Sequence, residues 1–144
     1  FLDNSASSDA GGVFFWSANL VMHNCTISNN SAGAGAGGFK AYEGTPIVSS
    51  TTVCGNTPTQ VTGTWEDAEN NCVTNSCDDI NSDGLPDGCQ CLSDINGDGS
   101  VNVNDLLNII DQWGQTNSPA DLNFDGIVDV TDLLIVVGNW GPCE

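Results

Sequence analysis

D-I-N-G-D-G-S-V-N-V-N-D-L-L at residues 94–107 and D-L-N-F-D-G-I-V-D-V-T-D-L-L at 121–134 are one segment written twice, 27 residues apart. The repeat runs on beyond them, because Trp113-Gly114 aligns with Trp140-Gly141. Self-similarity at a fixed period marks a duplicated supersecondary unit. In each copy an Asp/Asn/Gly-rich stretch precedes a run whose apolar residues cluster for packing. Each copy therefore reads as a loop followed by a helix of about ten residues, roughly 103–112 and 130–139. The WG pair after each run is expected to supply a large apolar anchor and a helix stop. Between the copies, G-Q-T-N-S-P-A at 114–120 is a turn-rich linker.

Charge is concentrated around this duplication. The chain has 144 residues, 19 Asp and Glu, one basic residue (Lys40), one His (His23) and a formal charge of -18. Residues 77–144 hold 12 Asp, Glu144 and no basic residue, whereas 1–76 hold 6 acids. Nucleic acid is excluded as a partner, since phosphate binding is driven by Lys and Arg displacing counterions. An anionic membrane surface is excluded on the same ground. No segment reaches the roughly 18 apolar residues that span a bilayer. A charged n-region and an apolar h-region are both missing, so Phe1 reads as a boundary rather than a start.

An acidic block of this kind is either a disordered tail or a set of cation sites, and the spacing of the Asp residues decides. A calcium loop needs oxygen ligands at alternating positions, a sharp turn at position 6, a backbone carbonyl at 7 and a carboxylate at 12. The first loop offers Asp94, Asn96, Asp98, the Ser100 carbonyl, Asn102 and Asp105 around Gly99. The second offers Asp121, Asn123, Asp125, the Ile127 carbonyl, Asp129 and Asp132 around Gly126. Every donor is oxygen, which selects a hard cation, and a flexible cage of six to eight oxygens suits Ca²⁺ better than Mg²⁺. Upstream, C-D-D-I-N-S-D-G-L-P-D-G-C at 77–89 sets Asp79, Asn81, Asp83, the Leu85 carbonyl and Asp87 at positions 1, 3, 5, 7 and 9, with Gly84 at 6. Ten of the 12 Asp in 77–144 then occupy ligand positions, the exceptions being Asp78 and Asp111. Disorder does not produce that register.

Residues 92–142 resemble the dockerin family, whose module is a pair of such loop–helix units with Asp closing each loop. The resemblance implies two Ca²⁺ sites and a helical surface that docks to a cohesin partner. Positions 10 and 11, where a hydroxyl pair often guides recognition in that family, hold Val103-Asn104 and Val130-Thr131 here. The family's basic residues later in the helices are absent, and the first helix carries Asp111. The 77–89 segment resembles a thrombospondin type 3 repeat, which implies a third Ca²⁺ half-loop.

The first half repeats differently. F-L-D-N-S-A at 1–6 aligns with I-S-N-N-S-A at 27–32, an offset of 26 that also carries Gly11-Gly12-Val13 onto Gly37-Gly38-Phe39, Trp16 onto Tyr42 and Val21 onto Ile47. A third, weaker start is V-C-G-N-T at 53–57. Short β-prone runs (Val13–Trp16, Asn19–His23, Phe39–Tyr42, Ile47–Val53) alternate with Asn/Ser/Gly turns. Units too small to bury a face alone become stable by stacking. Residues 1–58 are similar to the right-handed parallel β-helix family. The expected fold is mainly β with a small α module: right-handed parallel β-solenoid coils followed by two calcium loop–helix units. The expected divisions are 1–72 (coils plus exit segment), 73–91 (disulfide-clipped calcium linker) and 92–144. The run 32–38, A-G-A-G-A-G-G, is a solenoid turn and no dinucleotide loop, because no helix follows it.

Seven cysteines in a small acidic chain suggest an oxidising, extracellular or cell-surface setting. Connectivity is not fixed by sequence. By position, Cys91 and Cys143 bracket the duplicated unit, Cys77 and Cys89 bracket the half-loop, and Cys54 and Cys72 flank the exit segment, which leaves Cys25 over. No catalytic residue is expected: His23 has no obvious nucleophile beside it, and no carboxylate pair for glycoside hydrolysis is recognisable. The sequons at Asn24-Cys25-Thr26 and Asn29-Asn30-Ser31 and the Thr-rich stretch 45–64 are candidate glycan sites.

The expected function is a secreted calcium-binding structural or anchoring protein with a protein partner. The first coil should offer unpaired strand edges, which template pairing, so a filament of copies is one form of assembly. The alternative is the C-terminal part of an extracellular polysaccharide-degrading β-helix enzyme whose dockerin-like module docks to a cohesin-type partner.

Overall fold

The 26-residue period sets a parallel strand register in the computed structural model, which describes residues 1–17, 20–80 and 82–143. Chain contacts divide it into two units, Phe1–Asp79 with Gly84–Cys89, and Ile80–Asp83 with Gln90–Glu144.

In the first unit the strands are β1 (Ser5–Ala6), β2 (Val13–Trp16), β3 (Val21–His23), β4 (Thr26–Ser28), β5 (Ser31–Ala32), β6 (Phe39–Glu43), β7 (Ile47–Ser49), β8 (Thr52–Cys54), β9 (Val61–Thr62), β10 (Glu66–Asp67) and β11 (Cys72–Thr74). All pairings are parallel: β1-β5, β2-β6-β9, β3-β7-β10 and β4-β8-β11. Val13 lies opposite Phe39, Val21 opposite Ile47 and Ile27 opposite Val53, as the offset of 26 requires. Trp16 departs from it. A register shift after Phe15 sets Trp16 opposite Glu43, although its ring still stacks on Tyr42 at 4.8 Å. Asn19 of the expected Asn19–His23 run lies outside the described residues.

The third repeat is more complete than its sequence suggests. Phe39 pairs with Val61, Ile47 with Glu66 and Thr52 with Cys72, so the offset contracts to 22, 19 and 20. A fixed period cannot find strands whose connecting turns have shortened. Pairing therefore continues to Thr74, through a segment read as an exit.

Phe15, Met22, Ile27, Phe39, Ala41, Val48 and Val53 form the core, and Phe15, Phe39 and Trp65 meet edge to face at 5.8 and 5.6 Å. Asn30 and Asn56 are buried beside it. Asn30 Oδ1 accepts from the Asn4 backbone N–H and Nδ2, Asn56 Oδ1 accepts from the same groups of Asn30, and Gln60 Oε1 accepts from those of Asn56. Each amide thereby satisfies the turn above it, which removes the cost of a buried polar side chain. Gly37 belongs to the same turn for a steric reason: a Cβ there would lie on the Thr57 backbone.

Two of the three expected disulfides are wrong. The bridges are Cys54–Cys77, Cys72–Cys89 and Cys91–Cys143, with Cys25 free. Cys54 pairs with Thr74 and Cys72 with Thr52, so Cys54 and Cys72 sit two residues out of register on adjacent strands. That separates their Cα atoms by roughly 8 Å, beyond disulfide reach. Only the Cys91–Cys143 pair is as read.

The second unit holds β12 (Ser100–Val101), α1 (Val103–Asp111), α2 (Val130–Gly138) and β13 (Gly141–Pro142). Its core repeats at the 27-residue period, with Val101 and Val128, and Ile109 and Val136, all buried, joined by Ala120 and Leu122. The WG pairs do not anchor it, since Trp113 and Trp140 are half-exposed. Their glycines act instead, turning at positive φ (+77° and +137°). After that turn each tail pairs with the other copy's loop. The Gly114 N–H donates to the Val128 carbonyl, and β13 pairs antiparallel with β12.

Candidate metal centre

Both loops share a set of side chain–backbone bonds. The Gly99 N–H donates to Asp94 Oδ2 at 2.7 Å and the Gly126 N–H to Asp121 Oδ2 at 2.9 Å. Asn96 Oδ1 and Asn123 Oδ1 accept from the N–H two residues on, each at 2.9 Å, and Asp98 and Asp125 do likewise at 3.1 Å. Gly99 and Gly126 have φ of +86° and +100° with open space where a Cβ would stand. Glycine is demanded there by the backbone angle and not by crowding.

Asp105 and Asp132 close the loops and start the helices. Asn102 and Asp129 are the N-caps, accepting from the Asn104 and Thr131 N–H groups. Asp105 Oδ2 and Asp132 Oδ2 return the capping box by accepting from the N-cap N–H groups. Their other oxygens reach back to the loop entrance: Asp105 Oδ1 accepts from Asn96 N, and Asp132 Oδ1 from Leu122 N and Asn123 N. The Ser100 carbonyl accepts from Asn102 Nδ2. Ile127, whose carbonyl holds the equivalent place, is exposed.

Asp105 and Asp132 are both 0% exposed, and Asp121 is 7% exposed. A buried carboxylate is tolerated only when paired or metal-bound. Residues 77–144 contain no Lys, Arg or His, so no side chain there can neutralise them. Asp121 Oδ1 is buried with no hydrogen-bond partner. Donor set, missing countercharge and orphan oxygen all fit Ca²⁺. Among the described residues no three Asp, Glu, His or Cys side chains are already gathered on one point. The reason is visible in the loops: the carboxylates turn to backbone N–H groups, and Asn96 Nδ2 and Asn123 Nδ2 donate to Asp98 Oδ2 and Asp125 Oδ2.

The half-loop shares one element of this architecture. Gly84, at φ +94°, donates its N–H to Asp79 Oδ2 at 2.9 Å, the bond between positions 1 and 6 seen in both other loops. Asp83 accepts from Gln90 Nε2, and Asp87 begins a 3₁₀ turn, Asp87–Cys89, with its N–H on the Asp78 carbonyl. Leu85 is exposed. Asn81 lies outside the described residues.

Sequence reading missed two features. Val103, Leu107, Ile110 and Trp113 make an exposed apolar stripe along α1, and Val130, Leu134, Val137 and Trp140 repeat it residue for residue on α2. The 27-residue alignment carries this signal, but apolar spacing alone does not tell a solvent-facing stripe from a packed one. The other is Ser49, whose hydroxyl lies 2.9 Å from His23 Nδ1, so His23 does have a potential nucleophile beside it. Its partner lies 26 residues away and became its neighbour only through the β3-β7 register.

Residues 92–139 match the family model of the dockerin type I domain. This stretch is dockerin-like. The match supports calcium binding and a protein partner for the module, and an extracellular or cell-surface setting consistent with three disulfides. No curated protein and no solved structure matches the chain. Among the described residues no helix is long and apolar enough to cross a membrane.

Proposed function

We propose that the chain is an extracellular calcium-dependent docking and anchoring protein. Its dockerin-like unit binds Ca²⁺ through Asp94, Asn96, Asp98, Ser100, Asn102 and Asp105, and through Asp121, Asn123, Asp125, Ile127, Asp129 and Asp132, with a third ion at the Asp79–Asp87 half-loop. Its parallel sheets are successive coils of a right-handed β-solenoid that serves as a scaffold. The His23–Ser49 contact is a directly opposed cross-strand pair on the β3-β7 surface, a sheet-stabilising role and no catalytic one.

The pair of matched apolar stripes carries this reading. Large contiguous apolar surface on a soluble protein marks an interaction site. Here it lies on helices whose N-caps, Asn102 and Asp129, are also loop ligands, so ion binding and presentation of the stripe are one structural event. The partner is a cohesin-type domain.

The test is binding to an immobilised cohesin-type domain in millimolar calcium and in excess chelator. Chelator is expected to abolish binding. Leu107→Ala with Ile110→Ala, and Leu134→Ala with Val137→Ala, are each expected to weaken it by about 2 kcal/mol, roughly thirtyfold. Binding that survives both chelator and the fourfold variant would overturn the reading.

A further inference from the structure

The two loops differ at one position in a way that creates a chemical liability in only one of them. Asn96 is followed by Gly97, and Asn123, its counterpart 27 residues on, by Phe124. Asn96-Gly97 is the only Asn-Gly pair in the chain. Asn96 and Gly97 are exposed, Gly97 has nothing within 4 Å of its would-be Cβ, and its N–H makes only a long 3.4 Å bond to the Asp94 carbonyl. Asn123 is half-buried and is followed by a bulky side chain. Both Asn carbonyls are polarised alike, each accepting the backbone N–H two residues on at 2.9 Å. What differs is access to the following amide nitrogen, which a side chain on the next residue hinders and a glycine leaves open.

We propose that Asn96 is a self-modification site, at which the Gly97 amide attacks the Asn96 side chain and calcium in the first loop suppresses the reaction. The Gly97 nitrogen loses its proton to hydroxide and bonds to Asn96 Cγ. The Cγ–Nδ2 bond breaks as Nδ2 takes a proton back from water, which regenerates hydroxide, and ammonia leaves, closing a five-membered succinimide. Water then adds to one of the two ring carbonyls and opens the ring. Opening one way gives Asp at loop position 3, an added negative charge. Opening the other way gives isoaspartate, which routes the main chain through the former side chain and lengthens it by one carbon. That shift carries Asp98 and Gly99 away from Asp94 and breaks the Gly99–Asp94 bond on which the loop is built. The second loop is spared, so the dockerin-like unit ages from two ion sites towards one.

Suppression by calcium rests on the proposed liganding by Asn96, which would hold its Oδ1 on the ion. If only the ion-free loop reacts, the rate falls by a factor of 1 + [Ca²⁺]/Kd, about a hundredfold at a hundred times Kd. The experiment incubates the full chain in mildly alkaline buffer, with excess chelator or saturating calcium, and follows each Asn by peptide mass mapping. In chelator, Asn96 is expected to gain one mass unit at least about tenfold faster than Asn123, and to split into Asp and isoaspartate forms. Phe124→Gly is expected to confer the same lability on Asn123, a gain that needs no destabilised loop because φ is already +58° there. An unreactive Asn96, or an Asn123 equally reactive in the unaltered chain, would overturn the site. A reactive Asn96 that calcium fails to protect would keep the site and remove both the suppression and the reading of the first loop as a calcium site.

Discussion

Asp132 joins two jobs in one side chain. It is fully buried, it caps α2 through the Asp129 N–H, and it ties the loop entrance through Leu122 N and Asn123 N. Asp132→Asn keeps the shape but removes the charge and points an N–H₂ at backbone donors. Hydrogen bonds to charged groups contribute about 1.5–3 kcal/mol each. We expect Asp132→Asn to destabilise the module by about 3 kcal/mol and to remove one calcium from the stoichiometry read by titration calorimetry. Asp111→Asn, outside the ligand register, should stay within about 0.5 kcal/mol of the parent. At this scale the sequence was highly legible. Position 6 glycines and closing carboxylates follow from backbone demands within a dozen residues, whereas His23–Ser49 and the Asn4–Asn30–Asn56 ladder needed the register between repeats.

Among the elements, β12 and β13 are too short to persist alone. Two residues pair with two, and the Cys91–Cys143 bridge holds the segments that carry them together across a sequence separation of 52. Closing a loop of that length contributes about 4 kcal/mol in the chain-entropy model, and measured values usually fall between about 2 and 4. Replacing both Cys91 and Cys143 by Ser is expected to lower the thermal midpoint of the helical signal and to weaken calcium binding at the first loop, whose Gly99 carbonyl accepts from the Cys143 N–H. An unchanged melting curve would show the bridge to be dispensable. The helices themselves were legible to within a residue, because apolar spacing and the glycine that ends each run are local. Which apolar residues face solvent was not: Leu106 packs on the core and Leu107 does not, and only the packed unit distinguishes them.

For the whole molecule the governing quantity is charge. A chain at -18, with ten carboxylates in the three proposed calcium loops, repels itself when no cation offsets them. Calcium binding then supplies folding free energy to the second unit. Excess chelator is expected to lower the melting temperature and helix content of residues 92–142, while the β signal of the first unit, stabilised by apolar packing and amide ladders, persists. Circular dichroism that stays unchanged in chelator would contradict this. Modules of this type need about 10⁻⁴–10⁻³ M calcium, so the transition belongs in the millimolar range of extracellular fluids.

The residues by themselves determined the two glycine-turned Asp/Asn loops, the two helices, the 26-residue parallel register and the Cys91–Cys143 pair, because each rests on short-range stereochemistry or strict periodicity. Only the tertiary structure decided the contracted third repeat, the Cys54–Cys77 and Cys72–Cys89 bridges, the solvent-facing tryptophans and the doubled apolar stripe. Those depend on how far each turn shortens and which side of a helix finds a neighbour, quantities set by packing between segments distant along the chain.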